Sequence, residues 1–361
     1  METTKRMPLH QTHLECGGKM IEYAGWLIPE RYDDIVREHN AVRTKAGLID
    51  LSHMGKVTLR GAGAGEYLQR MITGDVRKLN DGQGLDSIMC FPDGGILDSI
   101  VIYRLAADHY LLLFHAANAY INYQWLIQNP TEGVTATDIT DDKAIISLQG
   151  PLGLEILQTL TGENLADLEY FRMRSLNMMG DIKCNLARYG YTVEDGLEIF
   201  VKPEDARRLW QAILTAGEPL GVLPVGLGAR HWLRLEAGLP LYGHELSPIV
   251  NPLEVGMGRM ISFDKGDFIG KTPLIGAIAV GIQRKLTGII MEDPGIPRTG
   301  YSVEFNGREI GWVTSGGYSP TLEKNIAMAI IEIDRAEPNE KVDVIIRNKK
   351  SAATVVSLPF I

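Results

Sequence analysis

The hydrophobic pattern of this 361-residue chain changes near residue 281. Before that point helical and strand patterns alternate, whereas beyond it short β-rich runs follow one another between turns of Gly, Pro and Asn. Such closely spaced runs are typical of a small antiparallel barrel or sandwich. The pattern therefore predicts a larger region at residues 1–280 and a C-terminal β domain at residues 281–361, with the boundary at 278–284. The β-rich runs lie at residues 285–291, 309–315, 325–333 and 342–347.

The first 280 residues indicate an α+β fold. A helix is predicted near residues 33–46, with an Asp cap and Gly47 as its stop, and a second helix at residues 66–73. A strand–strand–helix order then occurs twice, which indicates two related halves that pack together; a ligand site often lies between such halves. The two occurrences predict strands at residues 96–105 and 109–114 with a helix at 119–128, then strands at 182–189 and 197–201 with a helix at 203–217.

Composition and charge narrow the classes of function. Asp and Glu outnumber Lys and Arg by 45 to 36, which gives a net charge of -9, so nucleic acid is not an expected partner. Cys16, Cys90 and Cys184 lie far apart, which argues against a disulfide framework or a cysteine zinc site and fits a reducing compartment. Apolar stretches fall short of the ~18 residues that span a bilayer, and the first 13 residues resemble no targeting segment. We expect a cytoplasmic protein, or a mitochondrial matrix protein if this is a eukaryotic mature form, with no membrane association.

Asp98 is the most informative single residue. It lies in a β-rich run that follows Gly94 and Gly95, and strand alternation puts it on the same face as Ile96 and Ile100. Burial there raises the pKa of a carboxyl group, while a nearby developing cation lowers it, a combination typical of catalytic acids and electrostatic stabilisers. The alternative is an edge carboxylate that caps a neighbouring turn, and the residues alone favour that alternative.

Two further segments contain candidate binding residues. Glu198 lies inside a predicted strand between Leu197 and Ile199, where its carboxylate could accept paired hydrogen bonds from a guanidine-like heterocycle edge. Arg230 and Arg234 stand one turn apart on a helix entered through glycines, and they could bind one anion together. An ordinary charged helix face that includes Glu236 is the interpretation that the residues alone favour.

Other features have simpler explanations. The glycines at residues 61–65 imitate a dinucleotide loop, but the third glycine comes one position too early and no βαβ unit supports it. His10 and His13 are better explained by a surface turn than by a metal pair, and no metal is expected. His53 and His244 are interpreted as satisfied structural histidines rather than proton shuttles.

The chain resembles the aminomethyltransferase, or T-protein, of the glycine cleavage system from about residue 7 to its end. Any one of the seven motifs is weak, but their order along nearly the whole chain is specific. The motifs are Tyr23-Ala24-Gly25-Trp26, Asp50-Leu51-Ser52-His53-Met54-Gly55, residues 94–98, Leu148-Gln149-Gly150-Pro151, Gly190-Tyr191-Thr192, residues 233–244 and Lys265-Gly266-Asp267-Phe268-Ile269-Gly270.

The resemblance implies a three-domain cloverleaf around a central folate channel, with a small antiparallel β-barrel at the C-terminus. It implies that tetrahydrofolate is the co-substrate and that the lipoylated H-protein is the partner, with ammonia and 5,10-methylenetetrahydrofolate as products. By motif match, Asp98 falls on the catalytic aspartate, Glu198 on the pterin-binding glutamate and Arg230 on the folate-binding arginine. Tyr191 and Met54 are expected to line the pocket.

The chain also departs from the family pattern near the expected channel. Val193 replaces the usual glycine after Tyr191-Thr192, and His115 replaces the usual asparagine before residues 116–118. Asp86 stands where many members carry tyrosine, and His231 follows the arginine in place of the common aspartate. The sequence leaves open whether these positions alter the substrate preference or the rate.

Two other functions are weighed against the main interpretation. The first is a folate-dependent demethylase of a small sulfur or oxygen compound on the same fold, which Asp86 and His115 keep open. The second is a non-catalytic folate-binding factor in iron-sulfur cluster maturation. Relatives of that kind carry a K-G-C motif, and Lys265-Gly266-Asp267 stands at the comparable place, which counts against it.

Overall fold

The structure is a computed structural model that describes residues 4–361. Its α-helices are α1 (His10–Glu15), α2 (Ile35–Thr44), α3 (Ala64–Met71), α4 (Ala119–Gln128), α5 (Gly153–Gln158), α6 (Pro203–Gly217), α7 (Leu227–Glu236) and α8 (Lys271–Val280). The strands before α8 are β1 (Lys5–Arg6), β2 (Lys19–Tyr23), β3 (Trp26–Arg31), β4 (Gly47–Asp50), β5 (Gly55–Arg60), β6 (Gly84–Cys90), β7 (Ile96–Ala106), β8 (His109–Phe114), β9 (Thr135–Asp138), β10 (Ala144–Gln149), β11 (Met173–Met178), β12 (Ile182–Arg188), β13 (Gly196–Val201) and β14 (Leu223–Pro224). Those after it are β15 (Arg284–Met291), β16 (Ser302–Phe305), β17 (Arg308–Ser319), β18 (Lys324–Glu332), β19 (Lys341–Ile346) and β20 (Lys349–Val356).

The strands form three open sheets and a closed barrel, so the fold is α+β with a C-terminal barrel, as predicted. The open sheets have the orders β1-β3-β2, β11-β12-β13-β10-β4-β14 and β6-β7-β8-β5-β9. The barrel closes in the order β15-β18-β17-β16-β19-β20, and all its pairs are antiparallel.

Contacts group the chain into two compact units. Unit 1 contains the chain up to Tyr67, Val76–Leu85 and Val101–Leu233, and unit 2 contains Leu68–Asp75, Asp86–Ile100 and Arg234–Ile361. The change from helix to barrel strands lies between Val280 and Arg284. The predicted domain division near residue 280 and the cloverleaf arrangement remain predictions.

The core of unit 1 follows from strand alternation in the six-stranded sheet. Leu197, Ile199 and Val201 of β13 face one hydrophobic cluster, which α6 completes with Trp210. Phe200 faces the opposite cluster, which includes Leu233 of α7. Because successive strand residues point to opposite faces, Glu198 shares the face of Phe200. The Glu198 carboxylate therefore lies on the face of the sheet that α7 covers.

The barrel of unit 2 shows why β18 is an almost continuous apolar run. Ala327, Ala329 and Ile331 belong to one buried cluster, whereas Ile326, Met328 and Ile330 belong to another. A strand that is buried on both faces carries apolar residues at every position.

Most predicted elements agree with the observed ones within two residues. The Asp cap of α2 is Asp34, whose carboxylate accepts hydrogen bonds from the backbone N–H groups of Val36 and Arg37. The hairpin of β7 and β8 is antiparallel, as predicted. The sequence prediction missed two barrel strands, β16 and β20. β16 spans only 4 residues, and β20 begins with two lysines and small residues, so neither carries a strong apolar signal.

Candidate active site

Asp98 is fully buried in β7, with an exposure of 0%. Its Oδ1 accepts a hydrogen bond of 2.9 Å from the backbone N–H of Ser99, and Ile96 and Ile100 beside it are also buried. β7 is an inner strand of its sheet, and the burial of Asp98 excludes a solvated carboxylate at this position. The alternation of apolar residues correctly indicated a carboxyl group held away from water.

Tyr242 is an aromatic residue whose phenol pKa is affected by the charge of Asp98. It packs against the cluster that contains Ile96, which shares the strand face of Asp98. Burial raises the pKa of the Tyr242 phenol, and the negative charge of Asp98 raises it further. Tyr242 is therefore a neutral hydroxyl in the neighbourhood of Asp98, within unit 2.

Glu198 is buried in the middle of the six-stranded sheet of unit 1. Its exposure is 4%, and its neighbours across the sheet are Ser147 on β10 and Ala187 on β12. Small residues on both sides leave the face above the carboxylate less crowded than larger side chains would. A buried carboxylate requires hydrogen-bond donors around it.

A buried amide fixes the loop that follows β12. Gln149 Nε2 donates to Ser147 Oγ at 2.8 Å and to the Tyr189 carbonyl at 3.2 Å, and Thr192 Oγ1 donates to Gln149 Oε1 at 3.1 Å. A Cβ on Gly196 would lie 2.4 Å from the backbone carbonyl oxygen of Tyr189, so only glycine fits at this position. The network explains why two of the sequence motifs occur together, since one supplies Gln149 and the other supplies Thr192.

Arg43 ties the same loop to the end of α2 and to α7. Its Nη1 donates to the Thr192 carbonyl at 2.5 Å and to Glu194 Oε1 at 3.2 Å, and its Nη2 donates to the Leu233 carbonyl at 3.4 Å. Sequence reasoning missed Arg43 and Gln149 as supports of the site. Arg43 carries no local signal, because its partners are 149 to 190 residues away.

Val193 occupies a strained conformation at the tip of this loop. Its φ is 74°, in the left-handed region that disfavours β-branched residues, and its side chain is exposed. The family's usual glycine at this position would adopt that conformation without the steric cost. The replacement of glycine by Val193 therefore adds backbone strain at this position.

Arg230 lies over the ring of Tyr191 in unit 1. The guanidinium carbon of Arg230 lies 5.5 Å from the centre of the Tyr191 ring, which is a cation–π distance. The His115 ring stands edge-on to Tyr191, with 6.2 Å between the ring centres. Arg230 forms no ion pair within residues 4–361, so its charge is not neutralised by a carboxylate of that part of the chain.

The turn from Asp50 to Lys56 carries Met54 and His53. Asp50 Oδ1 accepts from the Ser52 N–H at 2.8 Å, and Lys56 Nζ donates to the Ser52 and Met54 carbonyls at 2.9 and 2.8 Å. Met54 packs against the cluster that Leu233 and Phe200 share. Burial lowers the pKa of Lys56 to about 8.

His13 is fully buried, so the surface turn expected around it is wrong. Its Nε2 lies 2.8 Å from Asp50 Oδ2, and the Tyr32 hydroxyl lies 2.8 Å from its Nδ1. Both ring nitrogens are therefore satisfied, and His13 anchors the carboxylate that begins the turn. No local pattern indicates this contact, because Asp50 is 37 residues away.

Arg234 and Glu236 are buried as well, which contradicts both interpretations of this helix end. Arg234 is paired with Glu245 at 2.9 Å and donates to Ser315 Oγ at 2.7 Å, so it does not share an anion with Arg230. Glu236 accepts hydrogen bonds from Ser319 and Thr321. Neither residue belongs to a solvated charged face.

The predicted site residues thus fall into two groups. Glu198, Arg230, Tyr191 and Met54 belong to unit 1, while Asp98 belongs to unit 2. Within unit 1, Met54 packs against the same cluster as residues of β13 and α7. Of the residues that depart from the family pattern, His115 contacts the ring of Tyr191. The structure gives no account of Asp86 or His231 in the site.

No group of three or more His, Cys, Asp and Glu side chains is arranged to hold a metal ion within residues 4–361. Across the same residues, no helix has both the length and the apolar character that crossing a membrane requires.

Comparisons with known proteins agree over the whole chain. The family described as GCVT N-terminal domain matches residues 9–265, and the glycine cleavage T-protein C-terminal barrel domain matches residues 284–361. An aminomethyltransferase of Halalkalibacterium halodurans is 45% identical over 100% of this chain and 99% of its own length. One of Caldanaerobacter subterraneus is 42% identical over 100% and 96%. The crystal structure of the glycine cleavage system aminomethyltransferase T of Bartonella henselae has a TM-score of 0.92 and 30% identity, and the match covers 99% of this chain and 98% of that one.

Proposed function

Because the chain belongs to the glycine cleavage T-protein family of aminomethyltransferases, which transfer one-carbon groups, we propose that its acceptor is tetrahydrofolate and its donor the aminomethylated lipoyl arm of H-protein. The bonds from the transferred carbon to the lipoyl sulfur and to the amino nitrogen break. Two new bonds form between this carbon and nitrogens of the folate. Ammonia and the dihydrolipoyl thiol leave, and 5,10-methylenetetrahydrofolate is formed.

Asp98 is the proposed catalytic residue. The observation that supports it is a fully buried carboxyl group in an apolar strand face. Such a carboxylate can orient a nucleophilic nitrogen and stabilise an iminium-like transition state, because little water competes for its charge. It can also accept the proton that the attacking nitrogen loses.

Glu198 and Arg230 are the proposed folate-binding residues. The Glu198 carboxylate suits the aminopterin N–H edge, which presents donors in a guanidine-like pair. Arg230 suits an anionic or carbonyl portion of the folate, since its guanidinium faces an aromatic ring and no carboxylate of residues 4–361. Tyr191 and Met54 supply the apolar walls.

The partner in this proposal is a lipoylated H-protein, and its lipoyl arm brings the aminomethyl group to the enzyme. The relatives named above are bacterial enzymes, which favours a cytoplasmic reaction. No metal takes part in the proposed step, because the bond changes need only a positioned nitrogen nucleophile and a carboxylate.

One assay tests this function. The purified protein is incubated with aminomethylated H-protein and tetrahydrofolate, and ammonia and 5,10-methylenetetrahydrofolate are measured together. The proposal expects both products in equal amounts and little ammonia without folate. Transfer of a methyl group from a small sulfur or oxygen compound, with no ammonia from H-protein, would favour the demethylase instead.

A further inference from the structure

His53 is a buried histidine that the proposed reaction does not yet use. Its exposure is 4%, and its Nδ1 is buried without a hydrogen-bond partner among the described residues. The interpretation of His53 as a satisfied structural histidine is therefore wrong. A buried polar atom that lacks a partner costs stability, so its persistence in the middle of the turn that carries Met54 calls for an explanation.

His53 and Arg230 both belong to unit 1, and the charge of Arg230 reaches the His53 imidazole. The positive charge of Arg230 acts on the imidazole more strongly than any other single charge, and the charges of Asp50, Lys56 and His115 act on it more weakly. The Tyr23 ring stands edge-on at 6.2 Å between centres. His115 in turn contacts Tyr191, over which Arg230 lies, and all of these residues belong to unit 1.

The protonation state of the His53 imidazole decides which groups it can bind. Burial, followed by the charge of Arg230, lowers the pKa of His53 to about 3, so the imidazole is neutral at physiological pH. A neutral imidazole adds no charge toward a carboxylate, but it can donate to a carbonyl or accept from an N–H group. The complement of Nδ1 is therefore an uncharged polar group, next to the group that Arg230 binds.

We propose that His53 is a further binding residue of this site, whose Nδ1 forms a hydrogen bond with an uncharged C=O or N–H group of the bound folate. The inference rests on the proposed function for the identity of the ligand. It explains why this nitrogen is left without a partner in the protein while the turn around it is fixed by Asp50 and Lys56.

The test compares His53→Phe and His53→Asn with the wild-type protein. The probe is 5-methyltetrahydrofolate, which carries a methyl group on N5 and so binds without turnover, and its Kd is measured by calorimetry. Loss of one hydrogen bond to a buried group predicts about a tenfold weaker Kd for His53→Phe. The Asn amide retains polar atoms near the position of Nδ1, so His53→Asn is expected to keep most of the affinity.

Thermal unfolding without ligand separates binding from a structural role. His53→Phe removes an unsatisfied polar atom, so its Tm is expected to equal or exceed that of the wild type. His13→Phe is the matched control, since it removes an imidazole whose two nitrogens are both satisfied, and its Tm is expected to fall by several degrees. A large fall in Tm for His53→Phe with an unchanged Kd would overturn the inference.

A spectroscopic readout supplies the direct evidence. In protein labelled with ¹⁵N-histidine, the Nδ1 resonance of His53, identified by its loss in His53→Asn, is expected to shift when the probe is added. If the wild type binds the probe and Glu198→Gln weakens binding, while His53→Phe binds normally and the Nδ1 resonance does not move, this inference is wrong and the proposed function stands. If the wild type does not bind the probe at all, both are wrong.

Discussion

Arg230 and Arg234 stand one turn apart on α7, yet their surroundings differ completely. The Arg234 side chain is 2% exposed and is neutralised by Glu245, which also accepts from Ser315 Oγ at 2.5 Å. Arg230 is half-buried above the Tyr191 ring and forms no ion pair within residues 4–361. Two identical residues on one helix therefore differ in their charge partners: a buried carboxylate neutralises Arg234, and no carboxylate of residues 4–361 neutralises Arg230.

The same contrast separates two buried histidines. His13 has partners on both ring nitrogens, whereas the Nδ1 of His53 has none among the described residues. The lesson is that residue type and burial together do not identify a binding residue. The useful question is whether the protein itself completes the hydrogen bonds and charges of a buried group.

The largest expected effect comes from breaking the satisfied member of the arginine pair. Arg234→Met leaves the buried Glu245 carboxylate without its counter-ion, and removal of one partner of a buried pair typically costs about 3–5 kcal/mol. The free energy of unfolding, measured with urea, is expected to fall by that amount. The double variant Arg234→Met, Glu245→Gln should recover part of it. A loss below about 1 kcal/mol would contradict the role given to this pair.

Lys56 extends the comparison to a buried cation that has carbonyl partners and no carboxylate ion pair within residues 4–361. Its pKa is about 8 in the folded protein, against 10.5 as the ordinary value. Between these values the unfolded chain binds more protons than the folded one, so the stability contributed by this group rises as the pH increases from about 8 to 10.5.

We expect this rise to be on the order of 2–3 kcal/mol, because one pKa unit corresponds to about 1.4 kcal/mol. The measurement is urea unfolding of the wild type and Lys56→Met across this pH range. The difference in unfolding free energy between the two proteins isolates the contribution of Lys56, because the tyrosines that titrate in the same pH range are present in both. A difference that does not change with pH would show that Lys56 keeps an ordinary pKa.

Arg230→Met tests the arginine of the pair that has no carboxylate partner within residues 4–361. Its loss should weaken binding of 5-methyltetrahydrofolate by about 10- to 100-fold, because hydrogen bonds to charged groups contribute about 1.5–3 kcal/mol. The unfolding free energy should change by less than about 1 kcal/mol, since only a cation–π contact is lost. An unchanged Kd combined with a large loss of stability would reverse the contrast between the two arginines.

The smallest expected effect concerns Val193. Val193→Gly removes the strain of a φ of 74° and should stabilise the protein by about 1 kcal/mol, although the greater freedom of glycine in the unfolded chain offsets part of the gain. Val193→Ala is the control, because alanine keeps most of the backbone strain. Thermal and urea unfolding measure both variants, and a destabilised Val193→Gly would contradict the account of this loop.

Local patterns predicted the parts of the molecule that local physics determines. Alternation along β7 indicated the buried position of Asp98, and an Asp followed by a helical pattern indicated the start of α2. The six strands of the barrel could not all be found, because β16 is short and β20 begins with lysines and small residues, so neither carries a strong apolar pattern.

Pairings over long sequence separations could not be predicted from one sequence. Arg234 finds Ser315 across 81 positions, and Arg43 finds the Leu233 carbonyl across 190. These contacts decide which polar residues are satisfied and therefore which are left for a ligand. The roles of Asp98, Glu198, Arg230, Tyr191 and Met54 were indicated by motif order, and they remain proposals.

Asp98→Asn offers the most direct test of the division between binding and reaction. The Kd of 5-methyltetrahydrofolate and the single-turnover rate of ammonia release from aminomethylated H-protein are measured on the same preparation. We predict a Kd within about threefold of the wild type and a rate reduced by about 10²- to 10³-fold, the range typical when one electrostatic stabiliser is removed. A variant that retains the wild-type rate, or one that loses rate only because it no longer binds folate, would contradict the role of Asp98 at the reacting atoms.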